Sequence, residues 1–193
     1  MPLSFLAEQK SPQLSPWKIL IIDDEEDIHQ ITKMALKRFT LDNRKLSFLN
    51  AYSASEAKEI LSKEDDIALI FLDVVMETDD AGLLLAKWIR QDLNNIFSRI
   101  VLRTGQPGQA PEERVIVDYD INDYKEKTEL DRTKLFTTVY SSLRAYRDII
   151  EVEAARKYQE QYRNGLERVI ESTSNVFEQR SLTKFFSGLL QQI

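Results

Sequence analysis

Ile67-Ala68-Leu69-Ile70-Phe71-Leu72-Asp73-Val74-Val75-Met76 is an apolar run of strand length broken by a single carboxylate. A run that does not alternate reads as a strand buried on both faces, the kind found at the centre of a parallel sheet. An ionised Asp within such a strand is costly to desolvate. At its carboxyl end, however, the side chain emerges in the crevice where open α/β sheets hold their ligands. Taken alone, Asp73 serves equally well as the first residue of a turn. The segments around it decide.

Upstream, Trp17-Lys18-Ile19-Leu20-Ile21-Ile22 is a second apolar strand, and it runs into Asp23-Asp24-Glu25-Glu26-Asp27. A helix follows, with Ile28, Ile31, Ala35 and Phe39 spaced to form one apolar face. Acids at its start suit the positive end of the helix dipole, which accounts for Glu25, Glu26 and Asp27 without any further role. Leu46 to Tyr52 reads as a strand, and Ser53 or Ser55 caps a helix to about Lys63. Beyond Asp73, a turn through Glu77-Thr78-Asp79-Asp80-Ala81-Gly82 enters a helix carrying Leu83, Leu84, Ala86, Trp88 and Ile89. Arg99 to Thr104 is a fourth strand, Glu112 to Tyr119 a short helix, and Ile121 to Tyr124 a fifth strand, with Lys127 just beyond. Strands alternating with helices predict an α/β fold: a doubly wound, five-stranded parallel sheet with right-handed crossovers. All strands then end on one rim, which gathers Asp23, Asp24, Asp73, Thr104 and Lys127.

Composition narrows the chemistry. The 193 residues are 42% hydrophobic and 30% charged, enough for a core in a domain with an appendage. The net charge of -6 argues against nucleic acid as the main partner, which needs a basic stripe. With no cysteine, disulfides, thiolate metal sites and thiol catalysis are excluded. Residues 1–16, with Pro2, Pro12 and Pro16, read as a flexible arm rather than a secretory signal. No stretch reaches the roughly 18 apolar residues of a membrane span, and a cytoplasmic setting is expected.

Three clustered carboxylates repel, and one stays protonated unless a cation joins them. Hard oxygen ligands in an open crevice suit Mg²⁺. A nearby ammonium and hydroxyl complete equipment for phosphoryl transfer, with the central Asp73 as nucleophile. The succession Ile22-Asp23-Asp24-Glu25, Leu72-Asp73-Val74-Val75-Met76, Thr104-Gly105 and Asp123-Tyr124-Lys125-Glu126-Lys127 resembles the receiver domain of two-component response regulators, of flavodoxin/CheY-like fold, over about residues 17–148. The resemblance implies that a histidine kinase, or a small phosphodonor, phosphorylates Asp73 with Mg²⁺ bound. It implies that Asp24 meets the metal directly and Asp23 largely through water, with Asp73 and the main-chain carbonyl of Val75 completing the ligands. Thr104 and Lys127 then grip the phosphoryl oxygens, and Tyr124 is the aromatic that turns inward as Thr104 moves. Lys125 is the rival lysine, less well spaced after the strand.

Four departures from the family pattern stand out. Thr128 replaces the usual proline after the lysine, and a cis bond before a non-proline costs about 2.5–4 kcal/mol, so Lys127–Thr128 is expected either trans or strained. Glu77 replaces a proline and adds negative charge near the site, and Val75 offers no polar side chain to guide an attacking water. The Gly- and Pro-rich loop from Arg103 to Pro111 shortens the following helix. His29, the sole histidine, reads as solvated and without a role in phosphate relay.

From Glu129 the chain reads as helical until Asn164-Gly165, with Leu135, Val139, Leu143, Tyr146 and Ile150 facing the sheet. The spacing continues through Ala154, Tyr158, Tyr162 and Leu166, with i,i+4 pairs Glu153–Lys157 and Arg156–Glu160 on the surface. Residues 149–165 thus read as a linker helix able to form a parallel coiled-coil homodimer, or to fold back on its own receiver. Residues 166–193 read as the helical start of a following, truncated domain. The Arg-Thr-Gly-Gln-Pro loop, the Asp-Tyr-Lys-Glu-Lys-Thr-Glu-Leu stretch and this tail resemble receivers joined to a GAF-like region, often followed by an HD-type cyclic-dinucleotide phosphodiesterase. None of that output chemistry lies in these residues. Two other readings compete with a phosphorylation switch. A haloacid-dehalogenase-like phosphatase expects an acid where Val75 stands. A degenerate receiver, serving only as a dimerisation scaffold, has no need of all five rim residues.

Overall fold

The computed structural model describes residues 14–105, 116–127 and 131–190, the side chains from 171 onward excepted. Five strands, β1 (Trp17–Ile22), β2 (Leu46–Ala51), β3 (Ile67–Asp73), β4 (Arg99–Thr104) and β5 (Asp123–Glu126), form one sheet in the order β2-β1-β3-β4-β5. Every pairing is parallel, and β3 at the centre is buried along its whole length, as its unbroken apolar run requires. Helices α1 (Glu26–Leu36), α2 (Ala54–Leu61), α3 (Ala81–Gln91) and α4 (Arg132–Leu190) complete the described elements.

Strand alternation divides the core in two. Leu20, Ile22, Ile70, Leu72, Ile100 and Leu102 face α2 and α3, where Leu61, Leu85 and Ile89 cover them. Ile19, Ile21, Leu69, Phe71 and Val101 face the other way, against Leu36 of α1 and Leu135, Val139 and Leu143 of α4. Ser53, rather than Ser55, caps α2: its hydroxyl accepts from the Glu56 N–H at 3.1 Å. Glu77 is drawn to the same helix end, accepting from the Ala54 N–H at 2.7 Å, so its charge answers the α2 N-terminus.

Three expectations are corrected. The inward face of α1 is His29, Thr32 and Leu36, one position round from the expected Ile28, Ile31 and Ala35, whereas Phe39, just past the helix end, is buried as expected. Ile31 and Met34 are left 61% and 77% exposed. His29 is therefore buried, not solvated: Nε2 lies 2.8 Å from the Asp23 carbonyl, Nδ1 lies 3.0 Å from Asn50 Oδ1, and the ring packs on Tyr52 with centroids 4.5 Å apart at a tilt of 35°. Polar partners at the end of β1 hold a polar helix face inward, and apolar spacing does not register such a face. The fifth strand begins at Asp123 rather than Ile121. Asp120 turns the chain with φ 48°, and the Asn122 side chain accepts from both the Ile100 N–H and Arg90 before regular pairing starts. Lastly, α4 continues through Gly165 to Leu190. One glycine in an exposed helix costs about 1 kcal/mol relative to alanine, too little to end it.

The chain divides into two compact units, Met1–Asp148 and Ile149–Ile193. In the second, Arg156 pairs with Glu153 and Glu160 on the helix surface, while Tyr158, Tyr162, Leu166, Val169 and Ile170 are exposed. Among the described residues, no helix is long and apolar enough to cross a membrane. The arm over residues 1–13, the loop over 106–115, the Lys127–Thr128 bond and the last three residues lie outside the described residues. Of the expected helix at Glu112–Tyr119, residues 116–119 are described, with one helical turn at 116–118.

Candidate functional site

Because β1, β3 and β4 run parallel in register, their last residues share one edge. Asp73 is paired with Arg103 across β3 and β4, and Thr104, the next residue, closes β4. Asp23 and Asp24 follow β1, and Lys127 follows β5. Asp23, Asp73 and Thr104 are buried, whereas Asp24 and Glu25 are exposed at the rim.

Lys127 binds the acids together. Its Nζ donates to Asp73 Oδ2 at 2.8 Å, to Glu25 Oε1 at 2.8 Å and to Asp23 Oδ1 at 3.3 Å. Burial pulls its ammonium pKa down, but the hydrogen bonds to Asp73 and Glu25 and the charge of Asp23 outweigh that and raise it. Burial also pushes the Asp73 carboxyl above the ordinary carboxylate range; the Lys127 hydrogen bond opposes the shift and the charge of Asp23 adds to it. Glu25 is held below its ordinary value by Lys127. Lys125, the rival, lies within β5 and pairs with Asp123 at 3.2 Å.

Asp73 Oδ1 is buried and has no hydrogen-bond partner among the described residues. Such an atom is costly unless something positive meets it. The carboxylate oxygens of Asp23, Asp24 and Glu25 lie within 4.8 Å of one another. A hard, all-oxygen donor set, linked through Lys127 to the carboxylate whose other oxygen is unanswered, fits a divalent ion such as Mg²⁺. Asp73 is not among that close-set trio; its carboxylate is held by Lys127 and by the Val74 main chain.

The turn after Asp73 is fixed on both sides of Val75: the Val74 N–H donates to the Arg103 carbonyl and the Gly82 N–H to the Val74 carbonyl, both at 3.0 Å, and the Met76 N–H donates to the Thr78 carbonyl at 3.2 Å. Tyr124 is half-buried in β5 and packs on the α2–α3 side of the sheet. Two residues of the site escaped the reading of the sequence. Gly82 packs so closely that a Cβ there would stand 1.9 Å from the Asp73 carbonyl oxygen. Arg103 lies wholly inside, donating to Asp23 Oδ2 at 3.4 Å and Thr32 Oγ1 at 3.1 Å. An arginine at an inward position of an apolar strand was the available signal.

A domain of unknown function, DUF3369, matches residues 139–193. The 3'3'-cGAMP-specific phosphodiesterase 2 of Vibrio cholerae is 48% identical over 178 residues, which are 92% of this chain and 33% of that protein. The chain thus spans about a third of the length of that relative. The signal receiver domain of an HD domain-containing protein from Pseudomonas fluorescens Pf-5 superposes with TM-score 0.57 at 22% identity, covering 69% of this chain and 98% of that one. A CheY-like receiver domain protein from Methanospirillum hungatei JF-1 superposes with TM-score 0.56 at 18% identity, over 69% and 98% of the two chains. In fold and strand order, the chain's sheet and helices are similar to those of CheY-like receiver domains.

Proposed function

We propose that this is a two-component response regulator whose receiver accepts a phosphoryl group on Asp73 and passes the change to an output beyond these residues. The observation that supports it best is the environment of one carboxylate. Asp73 is buried at the end of the central strand, with Lys127 on Oδ2 at 2.8 Å and with Oδ1 unanswered.

An Asp73 oxygen attacks phosphorus, the bond from phosphorus to the kinase's histidine nitrogen breaks, and the imidazole leaves with its electron pair. Asp73 must be ionised to attack, and Lys127 favours that form against the pull of burial. The same ammonium then binds a phosphoryl oxygen, with the Thr104 hydroxyl as donor to another. Asp23, Asp24, Asp73 and the Val75 carbonyl would hold Mg²⁺, which when bound neutralises charge on the phosphoryl oxygens. Tyr124 follows Thr104 in the switch.

The partner is a histidine kinase, and the setting is cytoplasmic. Homodimerisation runs through the exposed stripe of the 149–170 segment. The likeness to a cGAMP phosphodiesterase supports a cyclic-dinucleotide phosphodiesterase as the output. The test is Mg²⁺-dependent labelling by acetyl phosphate, read as a mass gain of one phosphoryl group, with Asp73→Asn as control. A slowly decaying adduct lost in the Asn variant is expected. Steady phosphate release from many phosphoesters would make it a phosphatase, and absence of any adduct would make it a scaffold.

A further inference from the structure

Beneath the rim lies a cation that the phosphoryl-transfer reading does not use. Arg103 is 2% exposed, enclosed by β1, β3, β4 and α1. Its Nη2 donates to Asp23 Oδ2, its Nη1 to Thr32 Oγ1, and its guanidinium stands 5.0 Å from the centre of the Phe71 ring. Nε has no acceptor among the described residues. Burying a guanidinium is unfavourable even when it is paired, and an apolar side chain of similar volume commonly fills such a place at no loss of stability. Packing therefore gives no reason for a charge here.

The charge count at the rim gives one. Asp23, Asp24, Glu25 and Asp73 bring four carboxylates, and Lys127 and Arg103 bring two cations, leaving two negative charges to attract a divalent ion. The two cations differ in placement. Lys127 is shared among three acids at the open side, whereas Arg103, among the described residues, hydrogen-bonds a single acid, Asp23, from below, and is pinned to α1 through Thr32.

We propose that Arg103 is a built-in counter-cation that occupies Oδ2 of Asp23 and so sets the rim's affinity for Mg²⁺ below what its acids alone would give. The proposal rests on the Mg²⁺ reading above and names a positioning residue for it. Removing a fixed positive charge this close to a divalent ion strengthens binding by roughly tenfold, even with strong dielectric screening.

The experiment is calorimetric titration of Mg²⁺ into the full chain at fixed ionic strength, for wild type, Arg103→Met, Arg103→Gln and Arg103→Lys. The two neutral variants are expected to bind roughly tenfold more tightly, and the lysine variant within about twofold of wild type. The Gln variant, which keeps a donor for Asp23, carries the test if the Met variant does not fold. A purely structural role would lower melting temperatures and leave the dissociation constant alone. Equal or weaker Mg²⁺ binding by the neutral variants overturns the arginine's role only. No Mg²⁺ binding by any of the four chains overturns the metal reading itself.

Discussion

Two residues constrain Asp73 from opposite sides. Gly82, in the first turn of α3, leaves room for the Asp73 main chain; a methyl group there would meet the carbonyl oxygen at 1.9 Å and the Val74 Cα at 2.8 Å. Both are backbone atoms, so the clash is relieved only by moving α3 off β3. Gly82→Ala is expected to cost about 1–3 kcal/mol in urea unfolding and to slow acetyl-phosphate labelling as well. A wild-type midpoint would refute the tight packing. Lys127 acts on the carboxylate itself. Lys127→Met removes the hydrogen bond that opposes burial, so the Asp73 carboxyl moves further up and the acid limb of labelling shifts to higher pH. The maximal rate should fall by about 10²-fold. The stability signs follow by linkage. Asp73 is raised in the native state, so the native chain keeps this proton longer than the unfolded one. Stability contributed by Asp73 is then lost as pH rises from the ordinary carboxylate value of 3.8 through the native value. In the Met variant the loss continues to higher pH. Lys127, also raised, contributes stability that is complete below 10.5 and is lost as pH climbs beyond it, a loss the variant does not show. Urea titrations across pH check both limbs.

At the scale of elements, β3 and the rim were legible because a strand buried on both faces has no alternation to misread, and parallel order fixes where its end lies. The inner face of α1 was not legible, since it is built from His29 and Thr32, whose reason for burial is the Asp23–Arg103 pair contributed by other strands. The first residue of β5 was hidden for a similar reason: Asn122 substitutes a side-chain bond for a ladder bond. Arg103 was visible in the sequence as a charge in an apolar strand, yet its partner lies 80 residues away, and only folding pairs them. These buried polar contacts yield a prediction for α1. His29→Leu leaves the Asp23 carbonyl without its nitrogen partner, and a buried unsatisfied acceptor costs about 1–3 kcal/mol. The variant should unfold at lower urea. If instead it matched wild type, the histidine would be merely space-filling.

At the scale of the whole molecule, the question is what covers the second unit. Tyr158, Tyr162, Leu166 and Val169 are exposed at steps of four, four and three residues, the spacing of a seam on one helix face. Charged residues stand between them: Arg156 with Glu153 and Glu160, and Arg163 near Glu167 at 3.8 Å. Those surface pairs are worth a few tenths of a kcal/mol each and do not account for a helix of this length in water. Burial of the apolar seam against a second copy, which presents the same seam by symmetry, would. The full chain is therefore expected to sediment as a dimer at micromolar concentration. Replacing Tyr162 and Leu166 together by Glu puts like charges opposite one another in the seam, and should yield monomers whose receiver still accepts phosphate from acetyl phosphate. A double variant that remained dimeric would move the association surface away from this helix. Loss of labelling along with the dimer would mean that the receiver's chemistry depends on pairing.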